Sequence, residues 1–171
     1  MLMLLVLTGC GPKVVLQLQE ISLIDSTLWT VLEEAADPFD DRPEAFDCSP
    51  LGYGAESTYF EVDTTFCEYA TFSQPTMADM VEGDLLTLVA WHLDLWAAEE
   101  AEAHMVVQVG DQVLYEEWIP IPSDSNIFEQ KVNAAQSFPA GTPVYFHVHN
   151  HGYNNWAVGE LTVETMVEVE L

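Results

Sequence analysis

All five histidines of this chain fall between positions 92 and 151: His92, His104, His147, His149 and His151. Imidazole is a preferred protein ligand for zinc and copper, so the first question is which of them can share an ion. In the run 144–151, Val144, Phe146 and Val148 take one face of an alternating strand, which turns Tyr145, His147, His149 and His151 to the other. Positions i and i+2 stand about 6.5–7 Å apart along a strand, so His147 and His149 can both reach one ion with bonds of about 2.0–2.1 Å. His151 is too distant unless Gly152 bends the chain back. The same alternation makes Val89, Trp91, Leu93 and Leu95 core, turning His92, Asp94 and Trp96 outward. Met105, Val107 and Val109 likewise turn His104 and Gln108 outward. The expected set is His147 and His149 with His92 or His104, and Asp94 as an oxygen ligand, around zinc or copper.

A rival chemistry uses the same face. Trp96 and Tyr145, with Asn150, Asn154, Asn155 and Trp156, combine flat rings with amides. Sugar recognition needs that mixture, because pyranose C–H faces stack on rings while amides orient hydroxyls. The leading expectation is a non-catalytic protein that binds a glycan or a partner there, and a histidine-rich transition-metal protein or metalloenzyme is the alternative. Asp37, Asp40 and Asp41 offer oxygen ligands suited to a structural calcium ion, although a solvated acidic loop is the simpler reading. There is no Gly-x-Ser-x-Gly, no glycine-rich phosphate loop with lysine and no His-Glu-x-x-His, so no catalytic residue is assigned.

These side chains need a scaffold, and the scaffold reads as β. Val14–Ile24 alternates loosely, and Thr27–Leu32 is β-prone, with a helix over 26–36 as its rival. Asp37–Pro50 holds three prolines and five acids and reads as an ordered loop. Strands are expected at Tyr59–Asp63, Tyr69–Phe72, Leu85–Trp96, Ala103–Val109, Val113–Ile119, Val144–Asn150 and Leu161–Leu171, with a hairpin at Gly110-Asp111. About eight strands at sandwich-like spacing predict an all-β protein, an antiparallel β-sandwich of jelly-roll type.

The length of 171 residues suits one domain, and 49% hydrophobic residues argue against disorder. Twenty-nine acids against three bases give a net charge of −26. The bases are Lys13, Arg42 and Lys131, far too few for the cationic footprint that phosphate backbones require, so nucleic-acid binding is excluded. Attachment to anionic lipid through a basic patch is excluded for the same reason.

Residues Met1–Leu7 are apolar, and Leu7-Thr8-Gly9-Cys10 follows. This resembles the lipobox of bacterial lipoprotein signal peptides, which implies cleavage before Cys10 and acylation of its thiol and new amine. The run is short and no Lys or Arg precedes it, so the resemblance implies a start further upstream. Gly11 after the cysteine implies an outer-membrane destination in the cell envelope. The expected division is 1–9 signal peptide, 10–26 lipidated cysteine with tether and first strand, and 27–171 a single sandwich domain. Export places Cys48 and Cys67, an even pair, in an oxidising compartment, where a disulfide is the default.

Gly83-Asp84, an alternating strand, a short hairpin and a late Gly152-x-x-x-Trp156 resemble galactose-binding-like sandwiches and carbohydrate-binding modules over roughly residues 58–170. Gly141-x5-His147-x-His149 also resembles the opening of the first cupin motif. Tyr153 and Asn154 stand where that motif wants Glu, and only 22 residues follow His149, too few for the second motif.

Overall fold

The computed structural model describes residues 14–170. Cys10 and the lipobox lie outside them. Eleven strands follow one another: β1 (Val14–Ser22), β2 (Thr30–Val31), β3 (Tyr53–Ala55), β4 (Phe60–Asp63), β5 (Tyr69–Pro75), β6 (Leu85–His92), β7 (Ala101–Val109), β8 (Gln112–Ile121), β9 (Asn126–Asn133), β10 (Pro143–Asn150) and β11 (Asn155–Glu170). One sheet runs β3-β4-β11-β6-β9, with β1 paired along the far half of β11, and the other runs β2-β5-β10-β7-β8. Numbering β4 to β11 from one to eight, the sheets read 1-8-3-6 and 2-7-4-5. That is the jelly-roll order of an antiparallel sandwich. The nine-residue β1 and the short β2 and β3 add to these eight, which is why the count exceeds eight.

Alternation fixes which residues meet between the sheets. Phe60 and Val62, Phe72, Leu86 and Leu88, Met105 and Val107, and Phe146 and Val148 are all buried in one core. Phe60, Phe72 and Phe146 pack edge-to-face or tilted with centroids 4.9–6.5 Å apart, and Trp29 joins them at 5.7 Å from Phe60.

Two strands depart from the expected pattern. In β6 the inward set is Leu86, Leu88, Ala90 and His92, one residue out of phase with the predicted set. Leu-Leu-Thr-Leu-Val-Ala-Trp-His carries apolar residues on both faces, so its hydrophobicity does not fix the frame, and a one-residue slip exchanges the faces. β11 begins at Asn155, earlier than predicted, because its pattern is broken by a β-bulge between Val158 and Glu160. Trp156 and Val158 face inward before the bulge, Leu161 and Val163 after it. Gly159 is required there, since a Cβ would lie 2.4 Å from the Trp91 ring. The segment predicted as a strand at Thr27–Leu32 pairs only over β2, and a 3-10 turn at Glu34–Ala36 follows.

Candidate metal centre

The outer face of the second sheet sets three histidines side by side. Val144, Phe146 and Val148 go into the core, so His147 and His149 emerge on the other face of β10. Ala103, Met105 and Val107 do the same for His104 on β7. The ladder places His149 directly opposite His104, and on the other side opposite Tyr69, while His147 stands opposite Thr71. Neighbouring strands are about 4.8 Å apart, so the three imidazoles share one patch.

The acidic loop between β2 and β3 folds down onto that patch. It is held at one end by the pairing of β2 with β5 and at the other by the Cys48–Cys67 disulfide. Asp37 accepts hydrogen bonds from Tyr69 Oη at 2.7 Å, Thr71 Oγ1 at 2.8 Å and Arg42 Nη1 at 3.1 Å. Asp41 Oδ2 then meets His104 Nδ1 at 2.8 Å, His149 Nδ1 at 3.0 Å and His147 Nε2 at 3.3 Å. Ligand atoms of Asp41, His104 and His147 all lie within 4.8 Å of one another. His147 is fully buried and His104 nearly so, with Phe39 over His147 at 4.4 Å and Trp118 stacked on His104 at 4.0 Å and 3°. Aromatic walls of this kind lock ring rotamers and exclude water.

The hydrogen-bond polarity around His147 is fixed step by step. Thr71 has one hydroxyl proton, and it goes to the Asp37 carboxylate. Towards His147 Nδ1, 2.8 Å away, Thr71 Oγ1 can then only accept, so Nδ1 carries the imidazole proton. Burial disfavours the charged ring and holds the His147 pKa below the usual histidine range, against the pull of Asp41. A neutral ring protonated on Nδ1 presents a bare lone pair at Nε2. That lone pair faces a carboxylate oxygen at 3.3 Å. Two acceptors in that relation repel unless a cation lies between them. Burial pushes the Asp41 carboxyl up, but the imidazoles gathered around it, His147 first and then His104 and His149, more than reverse this and hold it well below the usual carboxylate range. It is an anion, and its second oxygen, Oδ1, is buried without a partner. Leaving such an atom unpaired costs about 1–3 kcal/mol, more when charged.

The outer nitrogens of His104 and His149 also have partners. His104 Nε2 faces Glu116 Oε1 at 3.2 Å, the carboxylate–histidine arrangement that orients a metal-ligating imidazole. His149 Nε2 faces His151 Nε2 at 3.0 Å, so one of the two donates.

Three of the expected ligands, His104, His147 and His149, are therefore brought together. His92 is not. It faces inward in the first sheet between Trp156 at 4.9 Å and Phe128 at 5.4 Å, and its Nδ1 meets the Leu93 carbonyl at 2.7 Å. Asp94 lies past the end of β6, where Oδ1 accepts from Ser125 N at 2.9 Å. Asp41 is the carboxylate brought to these histidines, and strand alternation does not reveal it; the sequence shows it only as one member of an acidic cluster. Within that cluster Asp37 is committed to hydroxyl and guanidinium donors, Asp41 faces imidazole nitrogens, and Asp40 is exposed, an arrangement unlike the all-oxygen cage that calcium takes.

The six aromatic and amide candidates do not form one surface. Trp156 is core, because β11 starts before it. Asn150 and Asn154 are buried and bond Thr64 Oγ1, tying the β10–β11 turn to the end of β4. Asn155 donates to Glu61 at 2.9 Å. Tyr145 is half-buried on the second sheet, and Trp96 is exposed, stacked on Tyr153 at 5.4 Å.

No protein-family model matches the chain, and no curated protein matches it. Among solved structures it is similar to the enzymatically active domain of tailspike protein 4 of bacteriophage CBA120, with a TM-score of 0.37 and 14% identity. That alignment covers 89% of this chain and 19% of the tailspike chain, and it carries no functional argument.

Proposed function

We propose that this protein is an exported, lipid-anchored β-sandwich that holds one transition-metal ion, zinc or copper, between its acidic loop and its histidine strands. Asp41 Oδ2, His104 Nδ1 and His147 Nε2 are the ligands, and His149 stands at the edge of the centre, its Nδ1 3.0 Å from Asp41 Oδ2. The observation that carries the reading is the convergence of ligand atoms of Asp41, His104 and His147 within 4.8 Å of one another, with both histidines buried. Ligands on a tetrahedral ion with bonds of about 2.0–2.1 Å stand about 3.3–3.4 Å from one another. The contacts of His104 and His147 with Asp41 Oδ2, 2.8 and 3.3 Å, need little expansion to reach that spacing, and the set as a whole, within 4.8 Å, needs a modest contraction. A nitrogen-rich set with one carboxylate suits zinc or copper better than calcium or magnesium. The lipid anchor is supported by Leu7-Thr8-Gly9-Cys10, which matches the lipoprotein cleavage pattern. Elemental analysis of the full chain, extracted from membranes without chelator, is expected to find about one zinc or copper per chain. The same preparation should carry a palmitate-analogue label that Cys10→Ala removes. Protein free of transition metal that also shows no calorimetric zinc or copper binding would refute the metal reading, and label retained on C10A would refute the anchor.

A second reading, binding of a neutral glycan, is favoured by a different place from the one the sequence suggested. Trp91 packs over Gly159 at the edge of a groove of about 740 Å³ that is also lined by His92, Asn126 and Ile127. An aromatic beside an amide is the combination sugars use. Calorimetry with soluble neutral hexasaccharides should give binding that Trp91→Ala weakens at least tenfold, about 1.4 kcal/mol. Absence of binding at millimolar sugar ends that reading.

A further inference from the structure

Burial falls steadily across the histidine cluster. The side chain of His147 is 0% exposed, that of His104 6% and that of His149 14%, while His151 stands in solvent. Phe39 covers His147, and Trp118 covers His104. Asp41, from above, closes the loop side. An ion arriving from solvent therefore meets the cluster at the edge where His149 and Asp41, each 14% exposed, reach solvent.

That edge is built as a step. His149 touches the centre through Nδ1, 3.0 Å from Asp41 Oδ2, and touches His151 through its other nitrogen, Nε2 to Nε2 at 3.0 Å. The two rings stand 4.8 Å apart at 72°. Neither nitrogen of His149 is spent on a backbone carbonyl, the usual way a structural histidine is satisfied. His151 also lines a hollow of about 360 Å³ together with Glu99, Glu100 and Glu102. Register explains this: Asn150 pairs with Ala103, so the next positions out along β10 and β7 bring His151 towards Glu102. Carboxylates around a mouth raise the local concentration of cations and speed their arrival. In a chain of net charge −26 the whole field works in the same direction.

We infer that His151 is a capture ligand, the residue that takes a divalent zinc or copper ion from solvent and passes it through His149 to the buried centre. The inference rests on the metal reading above. In the capture step the ion exchanges one bound water for His151 Nε2, and no electron moves. His151 is not a ligand of the final site, because His149 stands between it and Asp41. It acts on the rate of loading in both directions and leaves the equilibrium alone. Glu99, Glu100 and Glu102 act on arrival only, through the field.

Stopped-flow measurement of Zn²⁺ and Co²⁺ binding by the full chain separates this from the metal reading itself. Equilibrium binding by the wild type tests the centre; the ratio of rates tests His151. His151→Ala should slow association and dissociation together by at least tenfold and leave Kd within threefold of wild type. The exposed triple variant E99Q/E100Q/E102Q should slow association and flatten its dependence on salt. His151 is exposed, so its variant should keep the wild-type melting temperature and the comparison stays valid. An association rate unchanged in His151→Ala would overturn the proposal. So would a Kd weakened tenfold through faster dissociation, which would make His151 a ligand or a positioning residue. Wild-type protein that binds no metal would overturn the centre and the entry step together.

Discussion

Asp41→Asn should lose at least a hundredfold in zinc or copper affinity, about 2.7 kcal/mol. Removing a partner that orients a metal ligand typically costs about 10–100-fold, and Asp41 is proposed as a ligand itself, so its loss belongs above that range. The amide keeps the shape and can still hydrogen-bond the histidines. What it removes is the anionic oxygen to which three imidazoles turn at 2.8–3.3 Å. The comparison with Asp40→Asn makes the result specific. Asp40 is the exposed neighbour in the same loop, and its substitution removes the same unit of charge from the same region. If the loop merely attracts cations by its field, the two variants should weaken binding equally, by a small factor that salt erases. If Asp41 is a ligand, D40N should stay within threefold of wild type while D41N does not. Calorimetry of both at 0.15 M salt decides it, and equal losses would remove Asp41 from the centre.

How much of this site the sequence disclosed follows from which signals are local. In β7 and β10 the residues Met105, Val107, Phe146 and Val148 mark the core at every second position, so the outward set of His104, His147 and His149 is readable even though Val106 and His147 are themselves buried. β6 is apolar on both faces, so alternation there assigns His92 to the wrong face. Trp156 was misplaced because a bulge at Gly159 shifts the frame of β11, and a bulge leaves no alternation to read across it. β9, Asn126–Asn133, carries a single buried aromatic, Phe128, among polar neighbours, and such an edge strand has almost no pattern. Asp41 was invisible for a different reason. Its role depends on where a proline-rich loop lands, and that is decided by Asp37 meeting Tyr69 and Thr71 some thirty residues away, not by any spacing within the loop. Jelly-roll topology, in contrast, follows from strand number and turn spacing, which is why the fold was more legible than the site.

The disulfide joins these two levels, and its removal should register in both. Cys48 and Cys67 are 19 positions apart, as expected from the sequence, and their bridge fastens the loop seven residues beyond Asp41 to the approach to β5. On the chain-entropy account, opening a ring of that size costs about 3 kcal/mol, which for a domain of this length is a fall of about 6–12 °C in melting temperature. The variant Cys48→Ser/Cys67→Ser should therefore melt lower in metal-free buffer by that amount. The second effect is on the centre. Without the bridge, the loop is held by two paired residues of β2 and by the contacts of Asp37, so Asp41 must be ordered each time an ion binds. That ordering is drawn from the binding free energy, and affinity should drop roughly tenfold, about 1.4 kcal/mol. Saturating metal, in turn, pins the loop to β7 and β10 through Asp41 and stabilises the folded state by about 2.7 kcal/mol at a hundred times Kd. Metal at that multiple of its own Kd should recover most of the lost melting temperature in the cysteine variant. A variant that melts lower yet binds metal as tightly as wild type would show that the loop finds its place without the bridge, leaving the disulfide a stability role alone.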